Sequence, residues 1–561
     1  MGIQVKHLFT SLSADGNWQG AVQPSNWNEA HDVELTGPLA LLDQVAPAAG
    51  QVPYFNTTSS MGLAALTAVG RGILGAPSHG EVLNQIGGQS LTQKGQAHGY
   101  AALDGDARLP MSQVPAVMLA PSSPMRGGYP VTNLRFGAAT DVVKGEVQEA
   151  DGTVSTVIQR VLGTSNMALL SSTAALRGIS FYGQSNAMAS GENTTLVEPL
   201  FPHHVMTFQG ARNSSSATME NPATLQDFEP QHDILLQGAW ISTLTGFAIE
   251  AQNRDAGRAS PGYVVKSFAK GGSPLGDFVE GQPVFENLVQ NVARAKAVAA
   301  LYGRDYVHDA VFIVHGPSGP YVMSTYIDLL TSIVAALKSR IVEATGQSDA
   351  PHIFIVQENH GDTGTNIQGA MLGQLKVAQT VAGVSLVGPM YDNPFWDTIH
   401  QLVKGRMATA ELCALAYHTV CTLGQTWTPL WPINYELDGS AAEIEFAVPE
   451  GPLEWEYERI RSVPNGGFTM YAADGWSGPT NTTVESAEIK GNKVKLTLSG
   501  APTGTVQFTA YGETQDVVVD GWGSNRGQLM SRGSTKSFFH RLGYDVPETV
   551  NHYAVLWRSN I

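Results

Sequence analysis

Apolar positions along the chain change their spacing twice. From residue 174 to 432, compact apolar runs alternate with longer helical periods. "GISFYG" (178–183), "GYVVKSFA" (262–269), "DAVFIVHG" (309–316), "HIFIVQ" (352–357) and "VSLVGP" (384–389) are short, almost continuous runs bounded by Gly or polar residues. Such runs predict strands buried on both faces. Between them, "YIDLLTSIVAALKSRIVEA" puts Leu330, Ile333, Val334, Leu337 and Ile341 on one helical face, and "FENLVQNVARAKAVAALYG" and "IQGAMLGQLKVAQTVAG" behave alike. Strands alternating with helices predict an α/β domain whose parallel sheet is covered on both sides. Before residue 174 the chain is rich in Gly, Ala, Ser, Thr and Gln with few long apolar periods. It divides into a Gly-rich region, 1–116, and a β-rich connection, 117–173. After residue 433 the period falls to two in "SAAEIEFAVP", "ESAEIKGNKVKLTLSG" and "GTVQFTAYGETQDVVV", with a "KGNK" hairpin signal, which predicts a C-terminal β-sandwich over 433–561.

Composition narrows this little except at its extremes. A chain of 561 residues holds two to four domains. Its 32 basic and 49 acidic residues give a net charge of −17, and no basic patch stands out, which excludes nucleic acid as a general partner. No apolar run approaches a membrane span, and "MGIQVKHLFTSLSADGNW" has no long apolar stretch of the secretory kind, so neither membrane insertion nor export by that route is expected. The two cysteines, Cys413 and Cys421, are too far apart on a helix for a disulfide, and read as buried free thiols of a reducing compartment.

The chemistry lies where the strands end, because ligands of such sheets bind outside the carboxyl ends of the strands. Those ends are Gly183-Gln184-Ser185-Asn186, Lys270-Gly271-Gly272-Ser273, His315-Gly316 and Gln357-Glu358-Asn359-His360. The last strand leads into "YDNPFWDTIHQ", with Asp397 and His400 three apart. Acyl transfer needs these parts. Ser185 is a weak nucleophile until a base takes its proton. His400 is the expected base, and Asp397 fixes its tautomer and stabilises the imidazolium. The amides of Ser185 and Gly272, with the His315 side chain, are the expected oxyanion donors. A second Gly-Gln-Ser, Gly88-Gln89-Ser90, lacks the strand–turn–helix frame and is read as noise. No metal or cofactor is expected: the 15 histidines are scattered, His203-His204 reads as a loop feature, and there is neither a C-x-x-C nor a Gly-rich phosphate loop.

On "GQSN" at Ser185, the Gly271-Gly272 block and the D-x-x-H of Asp397 and His400, residues 174 to about 430 resemble the SGNH (GDSL-like) hydrolases, specifically the carbohydrate and sialic-acid O-acetylesterases and their phage-tail relatives. The resemblance implies a three-layer, flavodoxin-like fold. It also implies Ser-His-Asp catalysis through an acetyl-enzyme, with Gln184 and Asn186 beside the nucleophile as substrate contacts. The G-x-S-x-G elbow of α/β-hydrolases is absent, in agreement. One block departs: where relatives carry "QGE-x-D" or "HGE-x-D", this chain reads "VHGPSGPY", with Pro317, Ser318 and Gly319 in place of the acidic pattern. A catalytically weak or inactive receptor-binding protein is therefore the alternative.

Residues 6–116 resemble phage tail-fibre and tailspike proteins in three phrases, "HLFTSLSADGNWQGAVQPSNWNEAHDV", "APAAGQVPYFNTTSSMGLAALTAVGRGIL" and "SLTQKGQAHGYAALDGDARLPMSQVPA", and "GWGSNRGQLMSRG" is similar to the end of such relatives. That resemblance implies a homotrimer in the virion tail, with other tail proteins and bacterial surface polysaccharide, capsule or O-antigen, as partners. Tyr471, Trp476 and Trp522 are candidate sugar-stacking aromatics of the C-terminal region.

Overall fold

The computed structural model describes residues 172–188, 200–208, 219–231, 240–316, 318–319, 322–358, 367–392, 395–397, 400–475, 480–513 and 526–560, together with eight short strands between residues 4 and 170. Apart from those strands, the tail-fibre-like phrases of residues 6–116 lie outside the described residues, as do Gly88-Gln89-Ser90, Pro317, Asn359, His360, Trp476 and Trp522. The chain divides into two compact units, Met1–Gln113 and Val114–Ile561. In the first, Gln51–Thr57 and Ser60–Ala65 form an antiparallel hairpin. In the second, residues 131–170 make a four-stranded antiparallel sheet in sequence order, and the remainder is built around one large sheet.

That sheet has seven strands: β1 (Leu176–Gly183), β2 (Val205–Phe208), β3 (Phe228–Pro230), β4 (Tyr263–Ala269), β5 (Tyr306–Val314), β6 (His352–Gln357) and β7 (Val384–Pro389). Their order across the sheet is β3-β2-β4-β1-β5-β6-β7. All neighbours are parallel except β3, which runs antiparallel to β2, so the wholly parallel sheet expected from the apolar runs is corrected at one edge. Without the β2–β3 edge pair the order is that of flavodoxin-like sheets, with the switch of winding direction at β1.

Side-chain alternation sorts the core into two faces. Ile179, Phe181, Phe312, Val314, Phe354 and Val356 point to the side covered by α1 (Ile241–Asp255) and α5 (Val403–Tyr417). Tyr182, Val311, Ile313, Ile353 and Ile355 point to the side covered by α2 (Pro283–Leu301), α3 (Met323–Thr345) and α4 (Ile367–Thr380). Leu330, Ile333, Val334, Leu337 and Ile341 form the buried stripe of α3, as their spacing requires. On the first face Phe181, Phe312 and Phe354 stack across three adjacent strands, with successive ring centroids 4.7 Å apart. This ladder fixes the relative heights of β1, β5 and β6, and hence of the loops above them.

The C-terminal strands form three small antiparallel sheets: Trp431–Asp438, Ala441–Ala447, Val484–Lys490 and Lys493–Leu498; Leu453–Trp455, Leu529–Ser531 and His552–Tyr553; and Phe468–Ala473, Val506–Tyr511 and Trp557–Arg558. The hairpin signal at "KGNK" is the turn between Lys490 and Lys493. These sheets do not stand apart. The side-chain amide of Gln357, fully buried at the end of β6, accepts from the Leu556 N–H at 2.7 Å and donates to its carbonyl at 3.0 Å. The Tyr391 hydroxyl donates to the Ala554 carbonyl at 2.6 Å. Glu411 on α5 accepts from Ser537 Oγ and from the Phe539 N–H, and Phe539, Val546 and Val550 join the apolar face under α1 and α5. Hydrogen bonds thus join residues on either side of position 432/433. His203 and His204, expected as a loop feature, stand in a turn and are buried there, with His204 Nδ1 3.0 Å from Glu250.

Candidate active site

Strand β1 ends on Gly183 because no other residue fits there. Its φ is +151°, and a Cβ at this position would sit 1.8 Å from the Val314 carbonyl oxygen of β5. That same oxygen accepts the next amide, Gln184 N, at 2.9 Å, so the chain turns tightly over the end of β5. Ser185 then opens a short 3-10 turn, Ser185–Ala187, that lifts it above the sheet at the switch point.

Gln184 and Asn186, on either side of the serine, are 3% and 2% exposed. The Gln184 amide donates to the Ser273 carbonyl at 2.6 Å and accepts from the Gly316 N–H at 2.7 Å. It therefore ties the loops after β4 and β5 to the loop after β1. Asn186 Oδ1 lies 3.5 Å from the Gln401 N–H. Both side chains brace the loops around the serine, as buried amide groups must find partners.

The D-x-x-H segment reaches the serine from the far side of the sheet. Phe395 and Gln401 pair as an isolated antiparallel bridge, and the Trp396 N–H donates to the His400 carbonyl at 2.9 Å. Within this closed turn the His400 N–H donates to Asp397 Oδ1 at 2.6 Å, and His400 Nδ1 lies 2.7 Å from Asp397 Oδ2. The other ring nitrogen, Nε2, is 2.8 Å from Ser185 Oγ. Below the turn, fully buried Gln401 donates to the Met390 carbonyl, and buried Arg406 of α5 donates to the Gln401 carbonyl at 2.7 Å. Gln401 and Arg406 are residues that sequence reasoning missed. The signal that marks them is the burial of the Arg406 charge, which appears only in three dimensions.

The Gly pair lies beside the serine. A Cβ on Gly271 would meet Ser185 Cβ at 3.8 Å, while Gly272 adopts φ +65° in open space. Lys270 N bonds the Gly183 carbonyl at 3.0 Å, and Lys270 Nζ pairs with Asp277 at 2.6 Å, which fixes the turn from both ends. The exposed backbone at Gly271-Gly272 is thus next to the hydroxyl, where an oxyanion would form. His315 is placed differently. Its ring is 1% exposed, edge-on to Phe278 at 5.4 Å, with Nδ1 3.2 Å from the Tyr326 hydroxyl. Its carbonyl accepts from Gln374 at 2.7 Å. Ser318 and Gly319 of the departing block are half-buried.

The chain Asp397–His400–Ser185 has the order, reach and partner atoms that general-base activation of a hydroxyl requires. His400 and Asp397 side chains are 20% and 32% exposed, so the array is open to solvent and to a bulky ester.

No family model matches the chain, and no curated protein matches it. Among solved structures it is similar to a carbohydrate acetylesterase from Xanthomonas citri, at 15% identity over 76% of this chain and 86% of that one, with a TM-score of 0.46. It is also similar to a carbohydrate acetylesterase from Sinorhizobium meliloti (12% identity, 44% of this chain, 99% of that one, TM-score 0.26). A third is a family two carbohydrate esterase from Clostridium thermocellum in complex with cellohexaose (13% identity, 49% and 81%, TM-score 0.25).

Proposed function

We propose that this protein is a serine esterase that removes O-acetyl groups from carbohydrate. The observation that carries the reading is the continuous contact from Asp397 through His400 to Ser185 Oγ, 2.7 Å and 2.8 Å long, on a sheet edge where ligands of this topology bind. In the mechanism, His400 Nε2 takes the Ser185 proton as Oγ adds to the acetyl carbonyl. Negative charge on the carbonyl oxygen is met by backbone amides at Ser185 and in the Gly271-Gly272 turn. Collapse expels the sugar oxygen, which takes the proton from His400, and leaves acetyl-Ser185. Water, deprotonated by His400, then releases acetate. Asp397 holds His400 with its Nδ1 proton in place and balances the transient imidazolium. The carbohydrate class rests on the resemblance of "GQSN" and the D-x-x-H to the O-acetylesterases.

The setting we propose is a phage tail fibre or tailspike, a homotrimer that deacetylates host surface polysaccharide; it rests on the three phrases within residues 6–116. A second reading, a glycan-binding fibre without turnover, is favoured by one observation: the His315 ring is enclosed by Phe278 and Tyr326, and the block after it lacks its acidic residues.

Acetate release from O-acetylated polysaccharide, compared between the wild type and Ser185→Ala, tests this. A loss of about 10⁴-fold or more is expected. Equal, negligible release from both, with glycan binding intact, selects the second reading.

A further inference from the structure

We propose that Trp396 is a specificity-determining residue whose indole supports the sugar ring that carries the scissile ester. The inference rests on the esterase reading and adds the group that selects a sugar ester over a simple one. Trp396 is one residue before Asp397 and 49% exposed, an unusual state for the largest apolar side chain. Its exposure is not that of a loose loop. The Trp396 N–H is bonded to the His400 carbonyl, the flanking Phe395 is buried and bridged to Gln401, and Asp397 closes the same turn on the His400 amide. The indole also lies nearly parallel to the His400 imidazole, at 23° with centroids 6.3 Å apart. One flat apolar side chain therefore sits beside the proposed general base, on a backbone paired to His400 and Gln401, while the residue stays 49% exposed.

Ser185 Oγ is 2.8 Å from His400 Nε2, and the indole lies nearly parallel to that same imidazole, so the nucleophile and the tryptophan both neighbour one ring. In a sugar acetate the carbonyl carbon is only two bonds from a ring carbon, so the pyranose itself falls over or alongside the tryptophan. The apolar C–H face of a sugar is a good partner for an aromatic face, and burial of the indole by that ring recovers the area now exposed. An acyl group on a small alcohol has nothing to place there.

The test compares kcat/KM for glucose pentaacetate with that for ethyl acetate in the wild type, Trp396→Ala and Trp396→Phe. The ratio of the two values is expected to fall about tenfold in Trp396→Ala and to recover most of that in Trp396→Phe. Because the ratio cancels any general damage to the triad, a tryptophan that merely steadies His400 leaves it unchanged while both rates drop together. That result, or an unchanged rate for both esters, overturns the inference and leaves the esterase reading standing. A wild type that hydrolyses neither ester overturns both.

Discussion

His400 is joined to Asp397 twice, through its backbone N–H to Oδ1 at 2.6 Å and through Nδ1 to Oδ2 at 2.7 Å. One carboxylate therefore fixes both where the imidazole stands and which of its nitrogens carries the proton. In Asp397→Asn the oxygen can still take the His400 N–H, so the turn closes as before. The amide nitrogen then faces Nδ1 and donates to it, which pushes the ring proton onto Nε2, the atom that must accept from Ser185. The expected result is a fall in kcat of about 10⁴-fold with glycan binding retained, because the error is one of tautomer. Acetate release measured beside binding of the same polysaccharide checks it; loss of both together would point to a collapsed turn instead.

Much of this was legible in the chain, for a simple physical reason. A strand buried on both faces is a continuous apolar run, and the polar residues that terminate it are the ones at the sheet edge. Ser185 and Gly271-Gly272 stand at such ends, while His400 is marked by its spacing from Asp397. Strands β2 and β3 leave no such mark, since three- and four-residue strands carry no period, and helix α1, which lies between them and β4, is not predicted either. Gln184 shows the other limit. A glutamine beside a nucleophile reads as a substrate contact, and its further bonds to the Ser273 carbonyl and the Gly316 amide, which brace the loops, appear only in three dimensions. The bond between Gln357 and Leu556 spans 199 residues, a distance at which local pattern says nothing.

Gly183 makes a sharper stability prediction than the other glycines. Gly183→Ala forces a methyl group to within 1.8 Å of the Val314 carbonyl oxygen, which is backbone inside the sheet and has nowhere to move. Gly272→Ala meets only an unfavourable φ of +65° in open space. Urea titration is expected to show a loss of roughly 3 kcal/mol or more for the first and about 1 kcal/mol for the second. Equal losses would mean that β5 yields at its end and that Gly183 is chosen for its φ alone.

Glu411 links α5 to the C-terminal segment and gives the fold a pH dependence of definite sign. It is 3% exposed, and burial raises its carboxyl from 4.5 to about 7 despite the hydrogen bonds it accepts from Ser537 and Phe539. Between those values the folded protein holds a proton that the unfolded chain has released. Stability from this group is therefore full below pH 4.5, falls as pH rises to about 7, and is level above that. The span is worth up to roughly 3 kcal/mol. Glu411→Gln cannot ionise, keeps an acceptor for the Phe539 amide, and is expected to remove this slope. Relative to the wild type, its Tm should gain more at pH 8 than at pH 5. Reading the difference between variant and wild type cancels carboxylates that act in the opposite sense, such as Asp545, held below its ordinary range by its hydrogen bond to Lys404. Asp392, raised by burial from 3.8 to about 7 at the end of β7, leaves a second slope of the same sign that Asp392→Asn should remove in the same background. A Glu411→Gln protein that loses more stability at pH 8 than at pH 5 would show instead that Glu411 is held as the anion, and that its bonds to Ser537 and Phe539 outweigh the cost of burying the charge.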